Sequence, residues 1–72
     1  MRILIAGAGI VGTNLAEQLS IEGHEISLVD LNPEVLRSLA DRLDVLTVTG
    51  QASSLRTLEA AGIDEAEMVI AV

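Results

Sequence analysis

The residues best suited to chemistry in this chain of 72 are three glycines, Gly7, Gly9 and Gly12, and one acid, Asp30, eighteen positions after the last of them. Each glycine in the stretch GAGIVG has a separate physical task. Gly7 permits a tight turn, Gly9 lets the backbone approach a pyrophosphate with no Cβ in the way, and Gly12 lets the next helix pack closely on a strand. Amides at the start of that helix, those of Ile10 and Val11, would then face phosphate oxygens with the helix dipole behind them. Asp30 supplies the other half, because a carboxylate accepts hydrogen bonds from ribose hydroxyls and repels a 2′-phosphate. Together they point to NAD or NADH, with ATP, ADP or AMP as alternatives, and away from NADP.

Glycines often serve packing alone, so the weight rests on the elements that would position them. Arg2 to Ala6 (RILIA) is a short apolar run ending in glycine, as in a strand buried on both faces of a parallel sheet. Val11, Leu15 and Leu19 recur every four residues, with Ile10 and Ala16 beside them, and mark one helix stripe that Gly23 closes. ISLVD, residues 26–30, is a second strand and ends on the acid. Asn32-Pro33 opens a second helix, Asn as N-cap and Pro at the first helical position, with Val35, Leu36, Leu39, Ala40 and Leu43 as its buried face. VLTVTG, residues 45–50, reads as a third strand. Ser53 or Ser54 caps a third helix carrying Leu55, Leu58 and Ala61, which Gly62 ends in a left-handed conformation. After a polar bridge from Asp64 to Glu67, MVIAV at 68–72 reads as a fourth buried strand with Met68 in the core.

Strands alternating with helices predict an α/β, Rossmann-like three-layer fold with a parallel sheet in the order 3-2-1-4. The ligand crevice of such a sheet lies beside strand 1. Dinucleotide folds run on to further strands, so residues 1–72 are expected to be the N-terminal part of a larger nucleotide-binding domain, truncated after strand 4. That strand is then a hydrophobic edge in need of cover, and a homo-oligomer is expected.

Composition excludes several other roles. Eleven acids against four Arg give a net charge of −7, which repels nucleic acid and anionic membranes. Cys is absent, which removes disulfides, thiolate nucleophiles and Cys-based zinc sites and suits a reduced cytoplasm. No apolar run approaches the roughly 18 residues of a membrane span, so direct membrane insertion is not expected.

A hydride-transfer enzyme needs an acid or base near the nicotinamide, and this chain has no Lys or Tyr and a single His. His24 falls in the turn between the first helix and second strand, at the end of the sheet away from the crevice, and reads as a solvated loop residue. Asp64, Glu65 and Glu67 read as a solvated acidic surface rather than a cation site, and Arg37 and Arg56 as solvated helix faces. No catalytic and no metal-ligating residue is assigned. The main alternative is the cofactor half of an NAD-dependent dehydrogenase whose catalytic residues lie elsewhere.

Three segments carry a more specific signal: MRILIAGAGIVGTNLAEQL, ISLVDLNPEVLRSL and VTGQASSLRTLEAAGIDEAEMVIAV. The chain resembles, over nearly its whole length, the N-terminal nucleotide-binding domain of Trk-type potassium-uptake regulators, the TrkA-N, RCK or KTN family. The resemblance implies a non-enzymatic regulator that senses NAD(H) or an adenine nucleotide and controls gating of an integral membrane potassium transporter or channel subunit. It implies a cytoplasmic location, peripheral to the inner face of the membrane through that partner. It further implies phosphate contacts at Gly7, Gly9, Ile10, Val11 and Gly12, ribose at Asp30, Asn32 near the ribose or adenine, and Ala52 and Ser53 flanking the base. Some relatives carry a basic residue between the second and third glycines, where this chain has Ile10, so a preference for triphosphate does not carry over.

Overall fold

The structure, a computed structural model, describes residues 1–72. In chain order it contains β1 (Arg2–Ala6), α1 (Ile10–Ile21), β2 (Glu25–Asp30), α2 (Pro33–Arg42), β3 (Val45–Thr49), α3 (Leu55–Ala60), a 3-10 turn at Ile63–Glu65, and β4 (Met68–Ala71). All pairings are parallel and the sheet order is β3-β2-β1-β4, the Rossmann-like arrangement that the strand and helix alternation predicts.

Alternation along the central strand divides the core in two. Ile3 and Ile5 join Ile26 and Leu28 beneath Ala16 of α1 and Leu36 and Leu39 of α2. Leu4 and Ala6 point the other way and pack with Val29 and Ala61, backed by Leu58 of α3. Thus α1 and α2 cover one face and α3 the other, which is why β1 must be apolar at every interior position. α2 has ten residues, too few to persist alone in water. Burial of Leu36 and Leu39, worth about 1.5–3 kcal/mol each, holds it on the sheet.

Helix ends follow the local chemistry. Asn32 caps α2, its side chain accepting from the amides of Glu34 and Val35 with Pro33 in the first turn. Ser54, not Ser53, caps α3 by accepting from the Thr57 amide. Gly23 and Gly62, at φ +92° and +82°, turn the chain out of α1 and α3.

Four sequence expectations need correction. Ile10 and Val11 are 84% and 59% exposed, because the first turn of α1 stands beyond the strand ends; the buried stripe is Gly12 and Ala16, flanked by Leu15 and Leu19. Ala40 and Leu55 are likewise exposed. β4 pairs on one side only, so Met68 and Val69 are 44% and 51% exposed rather than core. His24 is half-buried rather than solvated, its Nδ1 out of reach of water and without a partner, because the turn holding it folds back, with the His24 amide donating to the Leu19 carbonyl.

Candidate functional site

The glycine loop leaves β1 by a turn that only glycine fits easily. Gly7 has φ +112°, and a Cβ there would lie 2.6 Å from the Val72 carbonyl oxygen. Its amide donates to the Val29 carbonyl at 2.8 Å, tying the loop to β2. At Gly12 a Cβ would run into the Gly7 carbonyl. Gly9 differs from both: nothing lies within 4 Å of the position its Cβ would take, so its lack of a side chain leaves open space over the loop rather than relieving an internal contact.

Gly9 is also the N-cap of α1 and provides no side-chain cap. The first helical bond runs from the Thr13 amide to the Gly9 carbonyl at 2.8 Å. The amides of Ile10, Val11 and Gly12 lie ahead of it and have no intrahelical acceptor. No acidic side chain lies in that turn itself, and the positive end of the helix dipole points out of it. Such an array suits an anion.

Asp30 closes the other side. Its Oδ1 accepts from the Ala8 amide at 3.1 Å and its Oδ2 from the Asn32 amide at 3.0 Å. A carboxylate offers about four acceptor directions, so both oxygens retain capacity for hydroxyl donors. The Asn32 side-chain oxygen is taken by the α2 cap, at 2.9 Å from the Glu34 amide and 3.4 Å from that of Val35; only its amide nitrogen remains for other partners.

The third part follows β3. The Gly50 amide donates to the Asp30 carbonyl at 2.9 Å, placing the next turn beside the acid. Within that turn the Ser54 amide donates to the Gln51 carbonyl at 3.0 Å, leaving Ala52 and Ser53 exposed at its tip. Gly7, Gly9, Ile10, Val11, Gly12, Asp30, Asn32, Ala52 and Ser53 therefore share the C-terminal end of the sheet.

His24 and the acidic segment sit at the opposite end, around a hollow of 850 Å³ also lined by Arg2, Glu25 and Asp44. Arg2 meets Glu65 there and reaches Glu25 at 3.0 Å, while its backbone amide donates to Glu67. No group of three acids or histidines is arranged to hold a metal ion. Around Arg2 this hollow is thus an ion-paired surface rather than an array of free donors.

The TrkA-N domain family matches residues 3–72. This chain belongs to that family. Over its full length the TrkA-N chain is 47% identical to the Trk system potassium uptake protein TrkA of Halomonas elongata and 46% identical to that of Vibrio alginolyticus, covering 16% of each. A TrkA homolog from Pyrococcus abyssi is 35% identical over the same 72 residues, which make up 32% of that protein. The Kef C-terminal domain of Shewanella denitrificans, solved in an AMP-bound form, superposes with a TM-score of 0.81 at 28% identity, over 96% of this chain and 40% of that one. The TrkA-N chain therefore spans a minor part of the relatives it matches.

Sequence reasoning passed over Thr13 and Ala8 of the TrkA-N loop. The Thr13 hydroxyl donates to the Ala8 carbonyl at 3.1 Å. A threonine in the first turn of a helix beside a glycine loop was a legible signal, since Thr hydroxyls seek nearby carbonyls. The role of the Ala8 amide carried none, because backbone partners are invisible in residue types.

Proposed function

We propose that this TrkA-N domain is a regulatory, non-enzymatic module that binds an adenine nucleotide or dinucleotide, NAD or NADH foremost, with ATP, ADP or AMP as alternatives. Residues 1–72 act as part of a larger Rossmann-like nucleotide domain. The observation that carries the reading is the open space over Gly9, beside three free helix amides and an acid hydrogen-bonded to the adjacent Ala8 amide. Phosphates rest on Gly7, Gly9 and Gly12 and the amides of Ile10 and Val11, ribose hydroxyls donate to Asp30, Asn32 lies near the ribose or adenine, and Ala52 and Ser53 flank the base. The Kef relative, solved in an AMP-bound form at 28% identity, supports nucleotide binding by a fold of this kind.

Relatives named as Trk system potassium uptake proteins supply the physiological setting. The domain serves an integral membrane potassium transporter or channel at its cytoplasmic face and works as a homo-oligomer. No helix here is long and apolar enough to cross a membrane; attachment to the membrane runs through the partner. The ligand acts by binding one conformation of the assembly better than another, a coupling that typically amounts to about 1–3 kcal/mol. A non-enzymatic role is supported by the chemistry at the site, where Asp30 is the only acid or base assigned and His24 lies at the far end.

Calorimetric titration of the complete nucleotide domain containing this chain with NADH, NAD, ATP, ADP and NADPH, beside an Asp30→Ala control, tests the reading. Binding of NAD(H) or an adenine nucleotide that the control weakens, with none for NADPH, upholds it. No binding by the complete, folded nucleotide domain would sink it.

A further inference from the structure

Ala8, between the first two glycines, has both backbone groups held by side chains from different elements. Its amide donates to Asp30 Oδ1 at the end of β2, and its carbonyl accepts from Thr13 Oγ1 in α1, each at 3.1 Å. Ala8 is 3% exposed, so water is a poor substitute for either partner, and losing one leaves a buried backbone group unpaired. A helical Thr ordinarily bonds back to a carbonyl of its own helix. Here the hydroxyl reaches past the N-cap Gly9 into the loop. The other oxygen of Asp30 is anchored by the Asn32 amide, so the acid is fixed at one end and holds the loop at the other.

We infer that Thr13 and Asp30 form a brace on Ala8 that pre-sets the phosphate loop, making Thr13 a positioning residue and giving Asp30 a task separate from its contact with ribose. The inference rests on the nucleotide reading above. Fixing the Ala8 peptide groups on both sides fixes the direction in which Gly9 and the free amides of α1 face. A ligand then meets donors already aimed, without first ordering the loop. Thr13 does this without touching ligand, through a single hydroxyl.

Two readouts separate the brace from general stability and from the ribose contact. The first is amide hydrogen exchange by NMR without ligand, in the wild type, Thr13→Val, Thr13→Ser and Asp30→Ala. Thr13→Val and Asp30→Ala should speed exchange at Ala8 about tenfold while Ile5 and Leu28 of the sheet keep their rates, and Thr13→Ser should restore it. The second is calorimetry with ADP and 2′,3′-dideoxy-ADP, which lacks the ribose hydroxyls. Thr13→Val should weaken both about 5- to 10-fold, and Asp30→Ala should weaken the dideoxy compound as well.

Wild-type exchange at Ala8 in Thr13→Val would overturn the brace, as would Asp30→Ala leaving the dideoxy affinity unchanged. Should Thr13→Val loosen the sheet as a whole, Asp30→Asn, which keeps an oxygen for the Ala8 amide, replaces it: slow exchange there and fast exchange in Asp30→Ala supports the brace, and equal rates overturn it. Failure of the complete, folded wild-type domain to bind any nucleotide would sink the proposed function, while the exchange rates would still decide the brace.

Discussion

Gly7 and Gly12 meet backbone to side-chain position: the Gly7 carbonyl fills the space that a Cβ on residue 12 would need, while over Gly9, between them, that space is open. Gly12→Ala should therefore cost folding stability, about 1–3 kcal/mol or more as overpacking against backbone that cannot move aside. Gly9→Ala should cost no more than about 1 kcal/mol, the difference between Gly and Ala as N-cap. Nucleotide affinity should fall in the reverse sense, with the Gly9 variant losing binding while still folded. Urea unfolding beside calorimetry checks both, and equal stability losses at the two positions would contradict the division of labour.

That division was legible only in part. The spacing of the glycines, the acid at the end of ISLVD and the Asn-Pro helix start were enough to place the loop, Asp30 and the α2 cap at one end of a 3-2-1-4 sheet. These features are local, each set by backbone conformation or by the nearest few residues. What the residues did not disclose is long-range: the Val72 carbonyl standing where a Cβ on Gly7 would go, Arg2 meeting Glu65, and Asp30 paired to the Ala8 amide. Periodicity also overstated burial at Ile10, Val11, Leu55 and Met68, because an apolar stripe records which way a side chain faces and not whether a neighbour covers it.

Asn32 does structural work in the free chain. Its side chain accepts from the amides of Glu34 and Val35, which otherwise have no intrahelical partner. Asn32→Ala should lower stability by about 1 kcal/mol, and Asn32→Asp should keep it, since Asp caps as well and favours the positive helix end. Urea midpoints with an unchanged slope would establish this; a neutral Asn32→Ala would show that the cap contributes nothing.

Gly50 and Thr57 form a second close approach, where a Cβ on residue 50 would lie 2.5 Å from the Thr57 hydroxyl and 2.8 Å from its methyl. Thr57 is β-branched and stiff, so it has little freedom to give way. Gly50→Ala should cost about 1–3 kcal/mol. Thr57→Ala should relieve most of it, giving a coupling of at least about 1 kcal/mol in a double-mutant cycle of urea stabilities. Additive effects would mean that α3 simply moves away.

The charge on Asp30 sets the expected choice between NAD and NADP. A 2′-phosphate near that carboxylate meets repulsion of about 1–4 kcal/mol at 4 Å, depending on how wet the site is. In the wild type NAD should therefore bind at least about tenfold tighter than NADP. Asp30→Asn removes the charge but keeps one oxygen, so the ratio should fall toward unity even as NAD itself weakens. Salt provides an independent check, because the repulsion is screened over about 10 Å at 0.1 M ionic strength. Raising salt should narrow the NAD/NADP ratio of the wild type and leave that of Asp30→Asn almost unchanged. A ratio that survives the substitution would move the discrimination from charge to shape, with the exposed turn at Ala52 and Ser53 the next place to look.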